Sequence, residues 1–546
     1  MRTKFLLIVL LCGAVDDSSL AQRFASNQQP ALLTFAELKA LSEPGPMEPA
    51  LAAKTQKLLT TPFVSNSAAQ RETKPIHLQD PTLGVYTRAA QWNIERGLNL
   101  DLIKSLFEES EAFKSKIDRK EYEPGSAAYE EALQQAEILR NSSILILNEV
   151  DLGMPRTSYR NVVAELSQAA RMNYVFGVEF LEIDKLQLGT EELGQNADEK
   201  AAFRQAIGLD PERYKGLHGS AILSRYPVLS ARVVPLKRQC YDWFEGELKK
   251  ASVLEGAKRE MADQLFLEKI VREVRRGGRT AVVAELYVPE VEGKKVTVVN
   301  VHLESRCKPS CREDQMKEVL ELLQPIANPV ILAGDLNTSG NDATPTSFKR
   351  ELKKRYKDPH FWGTQAIKRL TPVGLTLDAV RLGFGFAKIE RDPTADSIPI
   401  LAPRTEGELF DEIEDFRFRD GRAFDFRGDK SKTVDSMDKK LANSNERAAV
   451  GFKPTYQFER SLQSTIGEFK LDWFFVKAYL TDPKAEDQSY KFAPHFPRTL
   501  DDVNSAIEDR ISDHHPITID LPFAEPPRTT KVKSKKGWFG KLGSIF

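Results

Sequence analysis

Acids, amides and imidazoles recur in this chain where apolar runs end. Val330-Ile-Leu-Ala-Gly334 is a short apolar run that closes on a glycine and delivers Asp335 and Asn337. Such a run reads as a buried strand, and in extended chain an acid and an amide one residue apart point the same way. Four more runs have polar ends. Tyr86 to Trp92 ends at Asn93, Ser143 to Leu147 leads into Asn148-Glu149, Val296 to Val301 ends at His302, and Asp513-His514 precedes Ile517 to Leu521. Asp472 lies within an apolar run, between Leu471 and Trp473. A carboxylate buried there needs a partner, and a histidine is the obvious one.

This inventory fits hydrolysis of a phosphate ester. Glu149 and Asp513 supply hard oxygen ligands suited to Mg²⁺. Asp335 can orient and deprotonate a water, and His514, oriented by Asp472, can steady the phosphoryl group. Asn337 and Asn93 can donate to its oxygens or hold ligands in place. A cation would counter charge developing on the leaving oxygen. Taken singly, each residue has a plainer explanation: Asp and Asn are common in turns after strands, Glu149 could close a salt bridge, and His302 could be a satisfied core histidine. The repetition of one arrangement argues against all of these holding at once.

Strand ends make rigid platforms, so the elements must be strands with covering helices. Helical periodicity covers residues 101–140, Tyr159 to Met172 and Arg312 to Leu323. Further strands are expected at Tyr174 to Ile183, His218 to Arg225, Thr280 to Val288 and Phe469 to Val476. The 546 residues carry 78 Lys+Arg against 79 Asp+Glu, so no global basic field exists to hold nucleic acid non-specifically. Arg2, Lys4 and the apolar block Phe5–Val15, with small residues before Ala21, read as a secretory signal over residues 1–21, too short for a membrane span. A secreted or periplasmic location follows, one that permits disulfides.

Residues 22–84 read as a loosely structured leader and 85–524 as the catalytic domain. Residues 245–276 read as a helical insertion, and 340–460 as loop-rich excursions that carry specificity. The tail, 525–546, is basic and aromatic, suited to a membrane surface or to plain disorder. Cys307 and Cys311 could close on each other, which would leave Cys240 a free or intermolecular thiol. With no second pair, a structural zinc is not expected.

Asn93 in Trp-Asn-Ile-Glu, Glu149 in Leu-Asn-Glu-Val, Gly334-Asp-Leu-Asn-Thr338, Leu471-Asp-Trp473 and Ser512-Asp-His514 together resemble, in order, the signatures of the endonuclease/exonuclease/phosphatase superfamily. The resemblance spans about Val85 to Pro522. It implies a four-layer α/β sandwich, with two central mixed β-sheets flanked by helices, and a phosphodiesterase or phosphatase dependent on Mg²⁺ or Mn²⁺. It implies Glu149 as the principal metal ligand, with Asp513 and Asn93 beside it. Asp335 would be the water-activating acid and His514 the phosphate-contacting histidine paired with Asp472. His302, in Val-Asn-Val-His-Leu, resembles the second catalytic histidine of the deoxyribonuclease and sphingomyelinase branches, a general acid. For His218 the structural reading leads, His515 is expected to be structural, and Arg225 is expected near the site mouth. The expected partner is a phosphate-ester substrate (nucleic acid, phospholipid or soluble ester), with no obligate protein partner. The alternative is a non-catalytic or membrane-associated binding protein that keeps the fold.

Overall fold

The computed structural model describes residues 24–71, 73–108, 110–185, 188, 209–248, 273–338, 407–448, 451–457, 468–478, 490–508 and 510–525. The expected signal, residues 249–272 of the helical insertion, residues 339–406 of the excursions and the tail from 526 lie outside them.

Alternation of side chains along the strands decides the architecture. In β4 (Ile144–Leu152), Ile144 and Ile146 face one hydrophobic layer while Leu145 and Leu147 face another. Both faces of this strand are covered, so it reads as a continuous apolar run. The first sheet has nine strands among the described residues. Its main path runs β1 (Phe63–Ser65), β5 (Asn173–Glu182), β6 (Leu217–Ser224), β4, β3 (Gly84–Asn93), β16 (Ile517–Pro522) and β15 (His495–Thr499). β2 (Leu78–Asp80) pairs with β3, and β8 (Arg275–Gly277) pairs with β5. The second sheet runs β14 (Asp472–Lys477), β11 (Val330–Asp335), β10 (Lys295–His302), β9 (Thr280–Tyr287) and β7 (Val228–Pro235). A small ribbon joins β12 (Tyr456–Gln457) to β13 (Glu468–Phe469).

Ile144, Ile146 and Val175 of the first sheet meet Val282, Val298, Ile331 and Phe474 of the second in a shared apolar layer. The helices α1 (Phe35–Ser42), α2 (Pro49–Thr60), α3 (Leu100–Phe107), α4 (Ala127–Arg140) and α5 (Val162–Ala170) cover the outer face of the first sheet. On the second, α6 (Pro309–Leu323) and α7 (Gly407–Asp415) cover the outer face. The result is the expected sandwich of helices, sheet, sheet and helices. Both sheets are mixed, since β3 with β4 and β10 with β11 are the parallel pairs.

Several expectations need correction. The leader segment is built into the fold. Thr34 caps α1 in a capping box with Glu37, Pro49 opens α2 behind the Glu48 cap, and β1 extends the first sheet beside β5. Leu38, Leu41, Leu51, Leu58 and Phe63 are buried in the outer core. Their helical spacing was diluted by Pro, Ser and Gln in the linkers between them. The insertion is not helical to its end, because Arg275–Gly277 pairs with β5 as a strand. Arg225 follows Ser224, which pairs with Ile144 at the start of β4, so it lies at the end of the sheet away from Glu149. The disulfide joins Cys240 to Cys311, with Cα atoms 6.0 Å apart, and not Cys307 to Cys311. Cys311 stands on the first turn of α6, while the buried Cys307 Sγ lies 3.2 Å from Glu304 O. Cys240 reaches that helix because the segment after β7 is tied to it: the Lys237 and Arg238 N–H groups donate to Glu318, and Gln315 Nε2 donates to Arg238 O at 2.9 Å.

Candidate active site

Strand register assembles the site. The parallel β10–β11 pairing sets His302 beside Asp335, and the antiparallel β11–β14 pairing sets Asp472 on the other side of it. Parallel β3–β4 pairing sets Asn93 beside Asn148. A bulge then turns Glu149 out of its strand. Asn148 and Glu149 fall between the pairs Leu147–Ala221 and Val150–Gly219, and Glu149 takes φ 53°. Gly334 lets the ends of β10 and β11 pair closely within the second sheet, because with φ 148° a Cβ there would lie 1.8 Å from Val301 O.

Asp335 is buried at the centre. Its carboxylate accepts from Asn93 Nδ2 at 3.1 Å and from the Asn337 N–H at 2.8 Å. His302 Nε2 and His514 Nε2 each lie 3.7 Å from its Oδ2. Burial pushes the Asp335 carboxyl up, His514 opposes this and Asp472 adds to it, leaving it raised to about 7.

His514 Nδ1 lies 2.7 Å from Asp472 Oδ2. Burial lowers this imidazole's proton affinity, but the charge and hydrogen bond of Asp472, with the nearby Asp513 and Asp335 carboxylates, together lift it to about 10. Burial raises Asp472 in turn, but the His514 charge and hydrogen bond, together with hydrogen bonds from Thr455 and Gln91, hold it below the usual carboxylate range. Gln91 Nε2 donates to the other Asp472 oxygen at 2.9 Å. His302 differs. Burial first and the Arg279 guanidinium second hold it well below the ordinary histidine value. Its Nδ1 is 3.9 Å from Glu179, whose carboxylate accepts from Arg279 at 3.0 Å and from Ser220.

Three half-buried acids, Glu95, Glu149 and Asp513, line the open side. Asn93 Nδ2 reaches Glu149 at 3.3 Å, and the Asp513 N–H donates to Glu95 at 3.1 Å. Burial and the Asp513 charge raise Glu95 to about 8. Burial and, against the pull of His514, the Glu149 charge raise Asp513. Burial would raise Glu149 too, but Arg96 and then His218 and His514 hold it below its ordinary value. Acids that resist one another's ionisation and offer oxygens to solvent fit a hard divalent cation. Asp335, Asp472 and His514 also bring ligand atoms within 4.8 Å of one another. There, however, His514 Nδ1 already faces Asp472, so that trio suits charge handling better than coordination.

The structure thus gathers Asn93, Glu149, His302, Asp335, Asp472, Asp513 and His514 at one place. Asn337 is also there, but the chain turns after Asp335 instead of staying extended. Asn337 has φ 50° and its amide donates to Leu303 O at 2.9 Å, so it braces the turn against the end of β10. His218 is a satisfied buried histidine, 2.8 Å from Asp151, which Arg156 also grips at 2.6 and 3.0 Å. His515 is buried, with Nδ1 3.2 Å from Asn504 Nδ2. Sequence reasoning gave no role to Glu95, although it stands two residues beyond Asn93. It also passed over Glu179, a charge between Val178 and Phe180, which is the same anomaly that marked Asp472.

Two facing mixed sheets whose polar strand ends converge on an acid, two histidines and a carboxylate group define a phosphoesterase scaffold. Residues 90–514 match the Endonuclease/Exonuclease/phosphatase family, and the chain belongs to it, as a hydrolase of phosphate esters. No curated protein matches the sequence. Among solved structures, one similar chain is an endonuclease/exonuclease/phosphatase from Beutenbergia cavernae, with 15% identity, 80% of this chain and 72% of that chain covered, and TM-score 0.35. Another is a mannosyl-6-phosphatase from Bacteroides thetaiotaomicron, with 11% identity, 80% and 99% covered, and TM-score 0.34. A third is TDP2 from D. rerio in complex with a single-strand DNA product, with 12% identity, 80% and 98% covered, and TM-score 0.32.

Proposed function

We propose that this protein hydrolyses a phosphate ester with a divalent cation, Mg²⁺ or Mn²⁺, held by Glu149, Asp513, Asn93 and Glu95. The observation that carries the reading is a buried carboxylate, Asp335, with two histidine Nε2 atoms 3.7 Å away, beside an open group of three acids. Asp335 takes the proton of a water as its oxygen bonds to phosphorus. His514, kept cationic by Asp472, holds the phosphoryl oxygens as charge builds on them. The bond from phosphorus to the leaving oxygen breaks, and His302 gives that oxygen a proton, one it takes up as the anionic substrate enters. When bound, the cation supplies further charge stabilisation at the leaving oxygen. The Cys240–Cys311 disulfide supports an oxidising, secreted or periplasmic setting.

The test is a hydrolysis panel with and without Mg²⁺: an activated phosphodiester, DNA, RNA, sphingomyelin and inositol phosphates. Activity on one class, abolished in Asp335→Ala and no longer responsive to Mg²⁺ in Glu149→Ala, is the expected result. A folded protein that binds no divalent cation and turns over none of the panel would overturn the proposal.

A further inference from the structure

Beneath the catalytic groups, Asn148 is buried between the two sheets with both ends of its amide engaged. Its Oδ1 accepts from the Asp335 backbone N–H at 3.0 Å and from Gln91 Nε2 at 3.1 Å. Its Nδ2 donates to Asn300 Oδ1 at 2.8 Å, to Ser220 Oγ at 3.1 Å and, less closely, to Val301 O at 3.3 Å. Each of these partners leads to a different part of the site. Asp335 is the central acid. The same Gln91 nitrogen also donates to Asp472, which orients His514. Ser220 donates to Glu179 beside His302, and Val301 directly precedes His302.

We propose that Asn148 is a positioning residue that sets the Asp335 backbone and the Asp472–His514 pair relative to each other. A carboxamide suits the task because it accepts on one side and donates on the other. An aspartate at 148 would turn its second oxygen onto the acceptors Asn300 Oδ1 and Val301 O and would bury a charge. Asn173 provides a matched control, because Asn300 accepts directly from Asn148 and its loss would disturb Asn148 itself. Asn173 is also buried with both ends of its amide engaged: its Nδ2 donates to Ser224 O and Tyr226 O at 3.1 Å each, and its Oδ1 accepts from the Ala69 N–H at 2.9 Å.

The kinetic part of the test rests on the hydrolase reading, and the spectroscopic part does not. Asn148→Ala and Asn173→Ala would be compared by melting temperature, by kcat and KM on the substrate found in the panel, and by NMR of ¹⁵N-histidine protein, which carries seven histidines. The signal to follow is the downfield Nδ1 proton of His514. Both variants should lose melting temperature. Only Asn148→Ala should lower kcat by about 10- to 100-fold at unchanged KM and shift or broaden the His514 proton. Should Asn148→Ala not fold, Asn148→Ser serves in its place: a hydroxyl cannot replace both ends of the amide, and the same kcat loss and movement of that proton are expected. An unmoved His514 proton with kcat within about threefold of the parent, or equal losses in Asn173→Ala, would overturn the proposal. If the parent protein hydrolyses nothing, the hydrolase reading fails by itself and the NMR comparison still decides the role of Asn148.

Discussion

His514 and His302 stand at the same distance from the same Asp335 oxygen, yet one imidazole is held charged and the other neutral. Burial is common to both and favours the neutral ring in each. What separates them is the commitment of a second carboxylate. Asp472 shares its oxygens with the neutral amide of Gln91, so its charge is left for His514. Glu179 is taken up by the Arg279 guanidinium, which also repels a proton on His302. Two histidines of one type thus acquire different tasks from partners one layer further from the chemistry. In the mechanism proposed above, the charged ring holds phosphate, and the neutral ring becomes an acid only when substrate brings negative charge.

The largest break in this comparison should come from removing its centre. Asp335→Ala should cost about 10³-fold or more in kcat, measured with cation present, because water loses its base. Next, Asp472→Asn keeps the shape but removes the charge behind His514. A fall of about 10²- to 10³-fold in kcat is expected, with the downfield His514 proton lost, whereas the His302 signal stays in place. Retention of that proton would mean that Asp472 does not set the charge of the ring.

His302→Ala should cost about 10²-fold on substrates with poor leaving groups and about 10-fold or less on activated aryl esters, because only the former need the proton. Equal losses on both would remove its assignment as the acid. The smallest effect should be in stability against pH. A histidine raised from 6.5 to about 10 stabilises the fold fully below 6.5 and loses that contribution as pH rises to about 10. Thermal melts between pH 6 and 10 should show this decline in the parent and a flatter profile in Asp472→Asn. In the parent, activity should rise through pH 7 as Asp335 loses its proton and fall again toward pH 10.

Polar residues at the ends of apolar runs pointed to Asn93, Glu149, His302 and Asp335, because strand ends are marked locally by the change from apolar to polar residues, and a lone charge inside an apolar run pointed to Asp472. The same local rule misled at Asn337, where a positive φ replaced the expected extension. It was silent on Glu95, whose direction depends on the turn at φ 48° after β3. The leader was missed because its helices are short and separated by turn-forming residues, and their apolar faces make sense only against the first sheet.

By itself, the sequence determined the long inner strands of both sheets, though not β1, β2, β7, β8 or β15, and with them most of the covering helices, the polar groups at the strand ends and the family to which they belong. These rest on periodicity and composition within about ten residues. Only the tertiary structure decided which histidine is charged, which cysteine pairs with Cys311 and which acids share the open side of the site. Each of those depends on groups far apart in the chain. The electrostatic energy of a buried proton and the geometry of a disulfide are set by neighbours that meet only after the two sheets have packed.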